Sequence, residues 1–378
     1  MTRICHLIDT NIATRYFSSI ATHHDHERFP VMIGSIAPEG TLQRSMVEVD
    51  VPTFSLGVGD RKGYPVALFR LVRLLRQQQV SVVHAHCFEA TALGLAASRL
   101  AGTRFVFTRH YLDHHVRLGK RWHVRIDAGC ARRADRVIAI SEAVRHQLVA
   151  VERVPSSNVT LVHNGIEPLP PPSDAQIDAL RTELGLERQP VCLVIARLHE
   201  EKGHRFLFEA IPRVAAEIGP VTYVLVGDGP LREEFEADMR RRGLGDTVRI
   251  LGWRNDIPEL VGAASVLALP SVAEPFGFAL VEAMSLGVPV VATAAGGATE
   301  IVADGVDGLL VPPRDPAALA GALFRVLSNP GLAAALGAAG RDSSRRFSFE
   351  RMMKGYEAVY AEILRLDVKE AARARPPE

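Results

Sequence analysis

"HNGIEPLPPPSD" (residues 163–174) interrupts the chain near its middle. An Asn-Gly turn is followed by four prolines within five residues. Proline fixes φ and lacks a backbone donor, so such a run supports neither a helix nor a central strand and marks a linker. The same pattern occurs on both sides of it. Upstream, the apolar runs "RICHLID", "VSVVHAH", "RFVFTRH" and "DRVIAIS" read as buried strands, with helical stretches such as "VALFRLVRLLRQQ" (66–78) and "ATALGLAASRLAG" between them. Downstream, "PVCLVIARL", "VTYVLVGDG", "VRILGW", "SVLALPS", "PVVATAAGG" and "GLLVPP" alternate with "FLFEAIPRVAAEI", "LREEFEADMRRRG" and "FALVEAMSLG". Strands separated by helices of this length build parallel βαβ units. The expected fold is α/β, with two tandem doubly wound domains facing across a cleft. Residues 1–168 form the first, 169–188 a linker and 189–346 the second. A helix over 347–366 returns toward the first domain, and 367–378 is a polar tail.

At 378 residues the chain exceeds one ordinary core. With 47% hydrophobic and 23% charged residues it is globular and not disordered. Cys5, Cys87, Cys130 and Cys192 form no Cys-x-x-Cys pair and read as thiols in a reducing compartment. The opening "MTRICHLIDTNIATRYF" has no signal-peptide core, and no run of about 18 apolar residues is uninterrupted, so no membrane span is expected. The net charge of +1 conceals an asymmetry: residues 1–168 hold 21 Lys+Arg against 14 Asp+Glu, and the remainder 23 against 29. Two segments of the basic half are also apolar. "RKGYPVALFRLVRLLR" (61–76) sets Arg70, Arg73 and Arg76 beside Leu68, Leu71 and Leu75, and "RLGKRWHVR" (117–125) sets Trp122 among cations. Basic amphipathic helices bind anionic lipid, so an anionic membrane surface is one expected partner, and nucleic acid is not; the plainer alternative is that the leucines pack on the sheet and leave the arginines solvated.

In "EPFGFALVE" (274–282), Glu274 and Glu282 are the only charges between Leu260 and Thr299. Burying a carboxylate costs several kcal/mol unless partners compensate. Either both are ordinary exposed glutamates or both point into a ligand site. "ARLHEEKGH" (196–204) puts Arg197 at a strand end and Lys202 in the following loop, a pairing that suits a diphosphate. The plainer alternative is surface charge paired with Glu200 and Glu201. A helix running from about Phe278 to Gly287 would present the amides of residues 277–280 as an anion site. An anionic sugar donor needs both parts, donors for its phosphates and acceptors for its hydroxyls. The Gly-rich turns in "LVGDGPLRE" and "AAGGATEIV" fall on the same strand edge.

Taken together, Arg197 to Lys202, "GDGP", "LGW", "EPFGFALVE", "AMSLGVPVVAT", "GG..EIV" and "DG.DGLLVPP" resemble the donor half of family 4 glycosyltransferases of the GT-B fold, which has two Rossmann-like domains. "ADRVIAISEAVR" and "VHNGIE" are similar to the end of that family's first domain, and the likeness is most specific from about 191 to 313. The resemblance implies retaining transfer of a sugar from a nucleotide-diphosphate sugar to a hydroxyl of a glycan or lipid-linked acceptor. It implies cell-envelope or exopolysaccharide synthesis, without metal or cofactor, in the cytoplasm or on the inner membrane face. By the same resemblance, Arg197 and Lys202 neutralise the diphosphate, Glu274 contacts the donor sugar and Glu282 the ribose. Backbone amides of Gly277, Phe278, Ala279 and Leu280 bind sugar and phosphate. The base lies near Gly227, Gly252, Trp253 and Arg254, and His110 lies near the reacting carbon. One departure stands out: the loop "DTNIATRYF" lacks the family's paired glycines. Asn11 and Arg15 in that loop, with His84 and His86, are the expected acceptor-side residues. "HAH" (84–86) and "HYLDHH" (110–115) also allow a metal-hydrolase reading, whereas "THHDH" (22–26) reads as solvent-facing. Alternatives to the transferase are an epimerase of similar fold, a glycosidase using Glu274 and Glu282, and a non-catalytic nucleotide-sugar-binding protein.

Overall fold

The computed structural model describes residues 2–112, 121–186 and 189–365. It divides into two compact units: the first runs to Gly165 and resumes at Phe349, and the second is Ile166–Ser348. In the first unit seven strands form one parallel sheet. They are β1 (Arg3–Ile8), β2 (Val31–Ser35), β3 (Thr53–Ser55), β4 (Val80–His86), β5 (Arg104–Arg109), β6 (Arg136–Ala139) and β7 (Val159–Leu161), in the order β3-β2-β1-β4-β5-β6-β7. The second unit holds β8 (Val191–Ile195), β9 (Thr222–Val226), β10 (Val248–Gly252), β11 (Val266–Leu269), β12 (Val290–Thr293) and β13 (Leu309–Val311). Their order is β10-β9-β8-β11-β12-β13, also parallel throughout. Each sheet reverses its strand order once, between β1 and β4 and between β8 and β11. Ligands of doubly wound sheets bind beyond the strand ends at such a reversal.

Helices cover the sheets, which is why the strands read as unbroken apolar runs. The second core joins Val194, Leu225, Ala268 and Val291 to Phe208 and Leu323. In the first, the helix Phe349–Ile363 turns Phe349, Met352, Met353, Tyr356, Val359 and Tyr360 inward, a stripe of helical period. It packs over Ile4, Ile8, Val82 and Val106, so the C-terminal helix is part of the first unit.

Two expectations change. The segment 169–188 is not a free linker. Its prolines lead into a helix, Asp174–Glu183, opened by a Ser173 capping box. This helix joins the second unit by burying Leu180 and by donating from Arg181 Nη2 to the Ala263 carbonyl at 2.7 Å. In the basic helix Tyr64–Gln77, Leu71 and Leu75 are buried in the unit while Arg70, Arg73 and Arg76 face outward. Leu71 and Leu75 are thus not available for lipid, Leu68 is half-buried, and the apolar groups exposed on this helix are Val66 and Phe69. The expected tail, residues 117–120 of "RLGKRWHVR" and the histidines at 114 and 115 lie outside the described residues. Trp122, at the start of the helix Arg121–Arg133, is exposed. Among the described residues no single helix is long and apolar enough to cross a membrane.

Candidate active site

In the second unit the reversal between β8 and β11 brings two loops together. The chain leaves β8 through Arg197, makes a tight turn at Glu200–Lys202 and enters the helix His204–Ile218 through Gly203, whose φ is +69°. A Cβ on Gly203 would overlap the Pro270 carbonyl at the end of β11, so only glycine allows this approach. The Glu201 carbonyl accepts from Val272 N at 2.7 Å and Ala273 N at 3.3 Å, which fixes one loop on the other. Lys202 Nζ then meets Glu274 Oε2 at 2.8 Å, and Ser271 Oγ donates to the same oxygen at 2.9 Å. Glu274 is 5% exposed. Its carboxylate survives burial because an ammonium and a hydroxyl replace water. A third loop closes behind it, where Gly297 N donates to the Glu274 carbonyl at 2.8 Å.

Gly277, at φ +115°, caps the helix Phe278–Ser285, and Gly287 follows its end at φ +76°. Leu280 N reaches back to the Gly277 carbonyl at 3.0 Å. The amides of Phe278 and Ala279, ahead of that first intrahelical bond, form the positive end of the helix dipole, beside the Lys202–Glu274 pair. Glu282, one turn inside, is half-buried. Arg197 differs from Lys202: its side chain is mostly exposed and pairs with Glu201 at 3.4 Å, as the plainer reading of "ARLHEEKGH" has it. At the ends of β9 and β10, Gly227 N donates to the Gly252 carbonyl at 2.8 Å and Trp253 stands exposed. Arg254 is committed to Asp256 at 2.8 Å and Glu183 at 3.1 Å.

In the first unit the expected acceptor-side histidines are not at the surface. His84 and His86 are fully buried. They alternate with Ala85 on β4 and so share the sheet face that carries Ile4, His6 and Ile8 on β1, beneath the C-terminal helix. His24, read as solvent-facing, is buried too, while His23 and His26 are exposed. His6 Nδ1 lies 3.0 Å from His86 Nε2, and His6 Nε2 lies 3.3 Å from His24 Nε2. His86 Nδ1 lies 3.3 Å from His110 Nε2. His84 bonds Tyr360 OH at 2.5 Å and Thr108 Oγ1 at 2.8 Å. Burial lowers the pKa of every ring, His110 to about 4 and His24 to about 3, so all five are neutral at pH 7. The ligand atoms of His6, His84 and His86 lie within 4.8 Å of one another, close enough for one ion. Both nitrogens of each ring are already paired, and the trio includes no carboxylate to offset a buried cation.

Sequence reasoning missed His6, His24 and Ser271. The signal for His6 is its register opposite His84, which follows once β1 and β4 are known to be neighbours. Asn11 is used structurally: its Nδ2 donates to the Pro38 carbonyl at 2.9 Å. Arg15 is exposed at the start of the helix Arg15–His23. The loop packs on Gly40, where a Cβ would overlap Asn11.

The switch point of the second unit thus gathers a lysine, a buried glutamate and a helix N-terminus, groups suited to an anionic, hydroxyl-bearing ligand. Residues 13–168 match the profile described as Glycosyltransferase Family 4, and 189–329 that described as Glycosyl transferases group 1. The chain is 30% identical to 2-deoxystreptamine glucosyltransferase of Streptomyces kanamyceticus, over 73% of this chain and 76% of that protein. It is 29% identical to alpha-D-kanosaminyltransferase of the same organism, over 72% and 74%. A crystal structure of Anabaena HepE in complex with UDP-glucose superposes with a TM-score of 0.83 at 26% identity, covering 97% of this chain and all of that one. The chain belongs to the group 1, family 4 glycosyltransferases of the GT-B fold, and it transfers a hexose from a nucleotide-sugar donor.

Proposed function

We propose that the protein is a retaining, metal-independent transferase that takes a hexose from a UDP-sugar. The observation that carries the donor side is the Lys202–Glu274 contact of 2.8 Å beside the start of the helix Phe278–Ser285. Lys202, with Arg197 swinging from Glu201, neutralises the diphosphate, and the amides of Phe278 and Ala279 complete that cradle. Charge accumulates on the diphosphate as the glycosidic bond breaks, so these groups act where charge develops. Glu274 accepts from donor-sugar hydroxyls and Glu282 from the ribose. Trp253 offers a face to the base, next to Gly227. His110 is assigned to the reacting carbon on the family resemblance alone. No carboxylate nucleophile is required, and one oxygen of Glu274 is already taken by Lys202 Nζ and Ser271 Oγ. The UDP preference is supported by the likeness to the UDP-glucose complex of HepE. Assaying UDP release from a donor panel, with and without acceptor and in excess EDTA, tests this reading; activity that needs one stoichiometric metal would overturn its metal-independence.

For the acceptor, the reading is a glycan or lipid-linked hydroxyl at an anionic, cytoplasmic membrane surface, met by the basic first unit. Exposed Val66, Phe69 and Trp122 beside Lys62, Arg73 and Arg125 support it. A soluble polyol is the second reading, favoured by the 2-deoxystreptamine glucosyltransferase and by the inward-facing leucines of the basic helix. Sedimentation with anionic liposomes separates them: the membrane reading requires binding at low salt that weakens as salt rises, and its absence leaves the soluble acceptor.

A further inference from the structure

The four rings of His24, His6, His86 and His110 form one unbranched chain. The links are Nε2 to Nε2 at 3.3 Å, Nδ1 to Nε2 at 3.0 Å and Nδ1 to Nε2 at 3.3 Å. A neutral imidazole carries one N–H and one lone pair. In such a chain each ring that accepts on one nitrogen must donate on the other, so the proton positions of all four rings are set together. Only two patterns exist, and they leave opposite groups on the far nitrogen of His110.

The ends decide between them. His24 Nδ1 is buried without a hydrogen bond, and Glu357 Oε1 on the C-terminal helix lies 3.9 Å away. A lone pair facing a carboxylate is repelled, and an N–H facing it is attracted. With the proton on His24 Nδ1, its Nε2 accepts from His6 Nε2. His6 Nδ1 then accepts from His86 Nε2, and His86 Nδ1 accepts from His110 Nε2. We propose that Glu357 and this histidine chain form a relay that fixes the tautomer of His110, leaving His110 Nδ1 as a hydrogen-bond acceptor for a substrate hydroxyl. The use of that acceptor rests on the placing of His110 near the reacting carbon; the tautomer itself does not. Glu357 is thus a positioning residue, acting through three rings. The intrinsic preference of imidazole for Nε2–H favours this pattern at His6, His86 and His110 and opposes it at His24, so His24 reports the anchor.

The neighbouring groups agree. Thr108 Oγ1 donates to Tyr356 OH at 3.1 Å, so it accepts from His84 Nε2, and His84 Nδ1 accepts from Tyr360. His84 therefore stacks on His86, at 4.4 Å between ring centres, without competing for its nitrogens.

The test is nitrogen-15 NMR of histidine-labelled full-length protein at pH 7.5 without donor, for the wild type, Glu357→Gln and Glu357→Met. Gln keeps an acceptor for Asp25 N, which Glu357 now serves at 2.9 Å, and guards against a folding defect. The expected wild-type spectrum has Nδ1–H at His24 and Nε2–H at His6, His86 and His110. Both variants should lower the Nδ1–H population at His24, Met more than Gln, and slow turnover severalfold with the donor KM unchanged. Nε2–H at His24 in the wild type, a pattern indifferent to both variants, or metal-shifted resonances that a chelator restores would each overturn the relay. The tautomer pattern found together with normal turnover in both variants and in His110→Ala would support the relay and remove His110 from the reaction.

Discussion

Lys202 and Arg197 are both expected to touch the diphosphate, yet they sit differently in the molecule. Lys202 is paired inside the fold with Glu274, and Arg197 lies mostly in solvent against Glu201. Removing the lysine leaves a buried carboxylate without its cation, which costs about 3–5 kcal/mol when a buried pair is broken. Removing the arginine breaks an exposed pair worth about 0–1 kcal/mol. Thermal unfolding should therefore show a clear fall in Tm for Lys202→Ala and almost none for Arg197→Ala. Turnover should fall at least about tenfold in both, since a charge-assisted phosphate contact contributes roughly 1.5–3 kcal/mol. Glu274→Gln should mainly lower turnover, and Glu282→Gln should mainly weaken nucleotide binding; normal rates and affinities in both would return these glutamates to a structural role. At this scale the sequence revealed the two carboxylates in an apolar stretch and the two cations of "ARLHEEKGH". It could not reveal that Lys202 pairs with Glu274, 72 positions away, because that contact depends on β8 and β11 being neighbours.

The helix Phe278–Ser285 shows how an element is aimed. Its N-terminus can meet an anion only if the chain turns sharply at Gly277, whose φ of +115° lies where side chains are strained. Gly277→Ala should cost about 1–3 kcal/mol of stability and re-aim the first-turn amides. Its effect on UDP affinity should exceed that of an alanine elsewhere in the same loop, measured by calorimetry; unchanged affinity would take the helix N-terminus out of the site. The limits of this helix were legible from Gly277 and Gly287, and the amphipathic stripe of the C-terminal helix was legible as well. The capped helix Asp174–Glu183 was hidden by the prolines before it. The leucines of the helix Tyr64–Gln77 have the same pattern whether they face lipid or sheet, so the sequence could not choose between them.

Across the whole molecule, the two parallel sheets followed from the alternation on either side of residues 163–174. The histidine cluster did not, because its rings come from β1, β4, the end of β5 and the loop after the helix Arg15–His23. It gives the protein a predictable acid response. His110 and His24 are held at about 4 and about 3, against 6.5 for a free ring. Below pH 6.5 the unfolded chain binds protons that the folded chain refuses, so stability is full above that pH and falls as pH drops from about 6.5 toward 4. Each such ring contributes a slope of about 1.4 kcal/mol per pH unit in that window. Urea unfolding between pH 7.5 and 5 should show the midpoint falling, less steeply in His24→Phe; a flat profile would contradict a cluster of buried neutral rings. The central claim concerns the other unit: the switch point of the second sheet is a diphosphate site built on Lys202. The most direct measurement is calorimetric titration of UDP and uridine into the wild type and Lys202→Ala, below the Tm of both. The account predicts that UDP affinity falls about tenfold or more in the variant, while uridine, which has no diphosphate, binds both proteins equally weakly. Equal UDP affinity in the two proteins would contradict it.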